Sequence, residues 1–132
     1  MEQLVTYLPM DGHVTVLDAG ANVGLVSLLF EQITRYNSVV LSVDAMPGTF
    51  DVLDRNTRAS GRIIPLNVAI VAQDVADTTP TVNFTGPGKS FWGFKVEHDF
   101  NDYKDRVVTA VPTASLASLL AHVRSYAYQE DQ

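Results

Sequence analysis

Two acidic residues and two glycines stand at regular positions in the first third of the chain. Residues 16–24 read VLDAGANVG, an apolar run that ends in Asp18 and turns through Gly20 and Gly24, and the next apolar run ends in Asp44. A glycine at such a turn lets the backbone approach a ligand, and an acid after the second strand accepts hydrogen bonds from ribose hydroxyls. The pattern therefore predicts a nucleotide-like ligand before it predicts a reaction.

Other interpretations of these residues exist. The Gly-x-x-x-Gly spacing differs from the Gly-x-Gly-x-x-Gly of dinucleotide-binding domains, which makes a small NAD-binding domain a weaker interpretation. The glycines alone are also compatible with a tight strand-to-helix turn that binds nothing. Asp44 alone is compatible with a solvated acid or a cap before a helix at Pro47. Their joint placement at strand ends is more specific than any one of them.

Strand-length apolar runs alternate with segments of helical spacing in the first half of the chain. The first run has the composition of a strand buried on both faces. Pro47 suits a first helical turn and Gly61 suits a helix end. The order strand, helix, strand, helix, strand is typical of a right-handed parallel α/β unit. The predicted strands are residues 14–19, 39–43 and 62–71, and the predicted helices are residues 22–36 and 47–60.

The second half has a different character. Residues 77–80 have the composition of a loop, residues 86–88 are a strong turn signal, and the aromatic residues of 89–94 favour packing in a hairpin. Helical spacing returns from Leu116 onward, with Thr113 or Ser115 as its N-cap. The strands predicted here are residues 81–85 and 107–111.

Composition limits the classes of function. The chain has 132 residues, enough for one domain that buries about two-thirds of its unfolded surface. A net charge of −6 disfavours nucleic acid as a partner, because such binding depends on Lys and Arg. The absence of cysteine excludes disulfides and thiolate metal sites, and no apolar run reaches the roughly 20 residues of a membrane helix. With no secretory signal at its start, the chain is expected to be cytoplasmic. His13, His98 and His122 lack the spacing of metal ligands, so no metal is predicted.

Residues 16–24 resemble motif I of the class I S-adenosylmethionine-dependent methyltransferases. Their Gly-Ala-Asn-x-Gly form is similar in particular to the FkbM family. The resemblance continues, more loosely, to about residue 120, and it is weak beyond residue 72. Further residues at matching positions are Asp44, Pro47, Phe50, Leu53, Asn56, Asn67, Ala69, Thr113 and Leu116.

The resemblance implies a fold and an activity. The expected fold is α/β, a Rossmann-like class I methyltransferase fold of three α/β/α layers with a truncated sheet and a β-hairpin near residues 81–111. A single domain would comprise a lead-in (1–13), a cofactor-binding βαβαβ core (14–72) and a hairpin with a C-terminal helix (73–132). The implied function is transfer of a methyl group from S-adenosylmethionine to a hydroxyl of a small molecule or sugar.

The resemblance also implies roles for particular residues. Gly20 and Gly24 would flank the methionine part of the cofactor, and Asp44 would bind its ribose. Asp18 would orient the turn or contact the cofactor's amino group, and residues 67–69 would lie near the adenine. The residues expected to bind the cofactor are Asp18, Gly20, Ala21, Asn22, Gly24, Asp44, Ala45, Asn67, Val68 and Ala69.

The chain also departs from the family pattern. Ala117 stands where the family generally has an acid, and the family's later strand with a Lys-x-Asp-x-Glu-Gly-like signature has no counterpart. In the family's strand order this leaves residues 14–19 as an exposed edge. We expect either a rearranged 107–111 strand or a partner chain, such as a second copy in a homodimer, to cover it. A non-catalytic domain that binds the cofactor or a partner without turnover is therefore the alternative, and no catalytic residue, His98 included, is assigned.

Overall fold

The computed structural model describes residues 13–34, 38–86, 95–96 and 107–130. Strands and helices alternate through its first half, and strands dominate the second half before a final helix. The elements are β1 (Val14–Ala19), α1 (Leu25–Thr34), β2 (Ser38–Val43), α2 (Pro47–Thr57), β3 (Ile63–Leu66), β4 (Ala69–Ile70), α3 (Gln73–Thr78), β5 (Thr81–Gly86), β6 (Lys95–Val96), β7 (Val107–Ala114) and α4 (Leu116–Glu130).

The first three strands form a parallel sheet in the order β1-β2-β3. The register pairs Val14 with Ser38 and Asp18 with Ser42, so β1 and β2 end at the same edge of the sheet. The chain is therefore an α/β protein with a parallel sheet at its start, as the alternating pattern predicts. This arrangement is compatible with a Rossmann-like fold in general.

Helices cover both faces of β2. On one face, Leu41 and Val43 form a buried cluster with Leu119 and Val123 of α4. Side chains alternate along a strand, so Ser42 points to the other face, where it meets Ser27 of α1. Burial on two faces suits the four apolar residues of β2, three of which are β-branched valines.

A second sheet has the strand order β4-β7-β5-β6. β5 pairs antiparallel with both β6 and β7, in the region where the sequence predicts a β-hairpin. β4 runs parallel to β7, and their inner side chains join a core of Ala69, Val82 and Val111. The predicted turn at 86–88 lies mostly outside the described residues, as do the aromatic stretch 89–94 and His98.

Two helix boundaries differ from the prediction. α1 begins at Leu25 instead of residue 22, because Asn22 and Gly24 have positive φ angles of 52° and 89°. A right-handed helix cannot include such residues. α2 ends at Thr57, four residues before Gly61. Its last turn is closed by the Arg58 backbone N–H, which donates to Asp54, so no C-terminal glycine is required.

The segment predicted as one strand at 62–71 is two strands. Asn67 and Val68 interrupt it, so β3 stays in the parallel sheet while β4 joins the second sheet. The predicted loop at 77–80 is also partly wrong, since Asp77 and Thr78 belong to α3. Ser115 is the N-cap of α4, because its hydroxyl accepts a hydrogen bond from the Ser118 backbone N–H.

β1 is less buried than its apolar sequence predicts. Thr15 and Ala19 are exposed, and within the described residues β2 is its only strand partner. The expectation that residues 107–111 cover this edge is wrong, because β7 pairs with β4 and β5 instead. Among the described residues, no helix is long and apolar enough to span a bilayer.

Candidate functional site

The turn between β1 and α1 is built from residues in the left-handed backbone region. Gly20, Asn22 and Gly24 have φ angles of 78°, 52° and 89°. The backbone N–H groups of Gly20 and Ala21 both donate to the Val43 carbonyl, at 2.8 and 3.0 Å. These bonds hold the turn against the end of β2, at the sheet edge where a parallel α/β sheet binds its ligand.

The two glycines of the turn are required for different reasons. A Cβ atom on Gly24 would lie 2.7 Å from Leu53 Cδ1 and 3.0 Å from Thr57 Cγ2, so this glycine allows α2 to pack against the turn. A Cβ atom on Gly20 would meet nothing within 4 Å. Gly20 is thus selected by its φ angle, and the space beside it is open.

The Asp44 carboxylate joins the turn to the start of α2. Its Oδ2 accepts the Asn22 backbone N–H at 2.9 Å, and its Oδ1 accepts the Met46 backbone N–H at 2.9 Å. Each carboxylate oxygen has two lone-pair sites, so both can accept one further hydrogen bond. Asp44 can therefore support the loop and bind a pair of ligand hydroxyls at the same time.

Asp18 accepts a hydrogen bond from a pair of hydroxyl groups in the protein interior. Ser27 Oγ donates to Asp18 Oδ2 at 2.6 Å, and Ser42 Oγ donates in turn to Ser27 Oγ. Both serines are fully buried, whereas Asp18 is only partly buried. The carboxylate is therefore fixed at the boundary between the protein interior and the sheet edge.

Asn67 supports the site without facing it. Its Nδ2 donates to the Asp44 and Ala45 carbonyls at 2.8 and 3.0 Å, which ties the end of β3 to the loop after β2. On the other side, Asn56 Nδ2 donates to the Val23 carbonyl at 2.7 Å and ties α2 to the turn. Amide side chains thus anchor both flanks of the site.

A cleft of about 440 Å³ opens at this edge of the sheet. Five of the residues predicted from the sequence line it, and together they come from both strand ends and the turn. The lining residues are Asp18, Gly20, Ala21, Asn22, Val23, Leu25, Val26, Asp44, Met46 and Thr49.

The other five predicted residues do not line the cleft. Gly24 lies under α2, and Asn67 acts through the backbone carbonyls of Asp44 and Ala45. Val68 packs against the core cluster that contains Leu41, whereas Ala69 belongs to the second cluster and Ala45 packs against it.

Sequence reasoning missed the apolar part of the cleft. Leu25 and Val26 look like the core face of a helix, yet they are 69% and 50% exposed and line the cleft. Met46 and the buried Thr49 enter because α2 begins beside Asp44. Ser27 carried one available signal, a small polar residue within an otherwise apolar helix segment.

The charge of the cleft is negative. Asp18 and Asp44 are its only ionisable residues among the described part of the chain, and no lysine, arginine or histidine there lines it. The remaining walls are backbone and apolar side chains. Such a surface favours a ligand that combines hydroxyl groups, a positive charge and an apolar or aromatic portion.

The chain matches no protein-family model, and no curated protein or solved structure is significantly similar to it. The resemblance of residues 16–24 to a methyltransferase motif therefore stays a prediction. The cleft itself, with its two carboxylates and the backbone that holds them, is the feature that bears on function.

Proposed function

We propose that the chain binds S-adenosylmethionine in the cleft and belongs to the class I methyltransferases of FkbM type. The observation that carries the proposal is a pair of carboxylates at adjacent strand ends in a cleft without a basic residue among its described lining. S-Adenosylmethionine has a sulfonium, an ammonium and a carboxylate, and so carries one net positive charge. Two carboxylates attract that charge.

The residues of the cleft fit the parts of this cofactor. Asp44 follows β2, the position from which an acid holds the two hydroxyls of a ribose. Asp18 lines the same cleft at the end of β1 and offers a carboxylate to the ammonium group. The apolar side chains of Leu25, Val26 and Met46 supply a surface for the adenine ring and for the methylene groups beside the sulfonium.

The same charges count against a dinucleotide. In dinucleotide-binding domains the pyrophosphate lies over the first glycine turn, at the start of the following helix. Here Asp18 stands directly before that turn, and no described residue of the cleft offers a compensating cation. Repulsion between Asp18 and a pyrophosphate disfavours NAD and ATP.

The proposed reaction is O-methylation of a small molecule or a sugar hydroxyl, as the family resemblance implies. When bound, S-adenosylmethionine would supply a methyl group for in-line transfer to the hydroxyl oxygen, so that a C–O bond forms as the C–S bond breaks, S-adenosylhomocysteine is the leaving group and the hydroxyl proton passes to water. The contribution of this chain is to orient the ligand: Asp18 would hold its ammonium group and Asp44 would hold its ribose. Alignment of this kind accounts for much of the rate of such reactions.

A second candidate is a non-catalytic domain that binds the cofactor or a partner chain without turnover. Two observations favour it. The ionisable residues of the described cleft are the two carboxylates that binding already uses, and β1 has a strand partner on one side only among the described residues. Light scattering after size exclusion tests the partner version, since a clean monomer would argue against self-association.

Isothermal titration calorimetry with S-adenosylmethionine and S-adenosylhomocysteine tests the proposed function. We expect both to bind the wild-type protein, and Asp44→Asn to weaken binding at least about tenfold, because an amide cannot accept both ribose hydroxyls. Asp51→Asn is the matched control, because Asp51 is exposed on α2 and does not line the cleft. The control substitution removes one negative charge, as Asp44→Asn does. Its affinity should stay within about twofold of wild type.

Two results would contradict the proposal. One is the absence of heat for both ligands at millimolar concentration with folded protein. The other is binding of NAD or ATP that is tighter than binding of S-adenosylhomocysteine.

A further inference from the structure

We propose that Ser27 and Ser42 are positioning residues that orient Asp18 toward the amino group of the bound ligand; this rests on the proposed function. Both serines lie between β2 and α1, and both have no solvent exposure. A buried hydroxyl costs free energy unless it is hydrogen bonded. An alanine at either position would avoid that cost, so the use of the hydroxyls requires an explanation.

The two hydroxyls form a chain with one direction. A hydroxyl has a single hydrogen to donate, and Ser42 gives its hydrogen to Ser27, which gives its own to Asp18. The strand register places Ser42 directly beside Asp18, so the two side chains share a face of the sheet. Ser27 sits on the helix that covers this face. The series of donated hydrogen bonds therefore ends at the Asp18 carboxylate.

The hydrogen bond divides the two oxygens of the Asp18 carboxylate. Oδ2 accepts from Ser27 at 2.6 Å, a short distance typical of a hydroxyl bonded to a charged acceptor. Oδ1 accepts no hydrogen bond from the described residues, and Asp18 lines the cleft. With one oxygen fixed to the core, the other is left to accept a hydrogen bond from a ligand ammonium group.

This arrangement predicts selectivity for the amino group. Without the Ser27 hydroxyl, Asp18 can rotate and must be ordered anew when the ligand binds. The loss should therefore fall on ligands with an α-amino group and spare those without one. Ribose binding at Asp44 should be unaffected, because Asp44 is held by the Asn22 and Met46 backbone N–H groups instead.

The experiment compares two ligands across a set of variants. S-Adenosylhomocysteine and its deamino analogue, which has hydrogen in place of the α-amino group, are titrated into the full chain by calorimetry. The variants are Ser27→Ala, Ser42→Ala and Ser27→Cys, which keeps the shape of the serine side chain with a larger atom that donates only weakly. Ser115→Ala is the matched control, because Ser115 is a buried serine that caps α4, an element packed on the opposite face of β2.

We expect the wild-type protein to prefer S-adenosylhomocysteine, and Ser27→Ala and Ser27→Cys to reduce that preference about tenfold. Ser42→Ala should reduce it less, since it removes only the second link. Ser115→Ala should lower stability and leave the preference unchanged. If Ser27→Ala does not fold by circular dichroism, Ser27→Cys and Ser42→Ala decide the question.

Three outcomes would overturn the inference. If the Ser27 and Ser42 variants kept the wild-type preference for S-adenosylhomocysteine over its deamino analogue, the serine hydroxyls would not orient Asp18. An equal loss for both ligands would show a role in folding alone. Wild-type protein that binds S-adenosylhomocysteine without preferring it would refute the inference and leave the proposed function standing, whereas no binding of either ligand would refute both.

Discussion

At the scale of single residues, Asp44 combines support of the loop with a candidate binding role. Both of its oxygens already accept backbone N–H groups, from Asn22 and Met46. An Asp44→Ala variant would remove these bonds together with any ligand contact, so weaker binding would not identify the cause. Asp44→Asn retains one acceptor oxygen and so keeps one of the two backbone bonds, while its amide nitrogen faces the other backbone N–H. Urea denaturation of this variant must therefore show an intact fold before weaker binding is assigned to the ligand contact.

Replacing Gly24, Gly20 or Gly61 by alanine is expected to lower stability by different amounts, because a Cβ atom would have different surroundings at each position. Gly24→Ala combines a positive φ with a Cβ 2.7 Å from Leu53 Cδ1, and we expect it to lower the free energy of unfolding by about 2–4 kcal/mol. Gly20→Ala has the φ strain alone and should cost about 1–2 kcal/mol. Gly61→Ala has neither and should stay within about 0.5 kcal/mol.

Urea denaturation followed by circular dichroism measures this series. The order Gly24, Gly20, Gly61 is the test, since each step removes one physical cause. Equal effects at Gly24 and Gly20 would show that the contact with α2 is unimportant.

At the scale of elements, the Arg62 side chain forms hydrogen bonds with two neighbouring elements at the end of the sheet opposite the cleft. Arg62 comes directly before β3, and its guanidinium donates to Ser38 Oγ at 2.8 Å and to the Glu31 carbonyl at 3.0 Å. It also lies 3.7 Å from the Glu31 carboxylate. One residue thus connects α1, β2 and β3.

We expect Arg62→Ala to lower the free energy of unfolding by about 1–2 kcal/mol, because two partly buried hydrogen bonds are lost. Arg58→Ala is the matched control: its ion pair with Asp54 is largely exposed and should contribute less than about 0.5 kcal/mol. Thermal and urea unfolding of both variants measure the difference. Similar losses for the two arginines would contradict the proposed tie.

At the scale of the whole molecule, charge predicts how ligand binding responds to salt. The chain has a net charge of −6, and the described lining of the cleft contains two carboxylates and no base. S-Adenosylmethionine carries one more positive charge than S-adenosylhomocysteine. The affinity for S-adenosylmethionine should therefore fall about three- to tenfold between low salt and half-molar salt, as the attraction is screened.

Calorimetry of both ligands at several salt concentrations checks this prediction. S-Adenosylhomocysteine serves as the internal control, and its affinity should change less than about twofold. An equal salt dependence for the two ligands would show that the carboxylates do not act on the sulfonium charge.

Much of the parallel sheet and its turn could be predicted from the sequence. β1 matches its predicted limits, β2 begins one residue earlier than predicted, and α2 begins at the predicted Pro47. These elements depend on local chemistry, namely apolar runs of strand length and a proline at the helix start. Asp18, Gly20, Ala21, Asn22 and Asp44 line one cleft for the same reason, because motif spacing and strand ends place them together.

Only the tertiary structure decided which residues face the cleft and which support it. The resemblance predicts that Gly24 and Asn67 bind the ligand, and neither lines the cleft. Gly24 lies against α2, and Asn67 donates to backbone carbonyls. The chain from Ser42 through Ser27 to Asp18 joins residues that are distant in sequence, so no local pattern reveals it. Spacing along the chain determines where an acid stands, but the packing of a helix on a strand determines what holds its carboxylate.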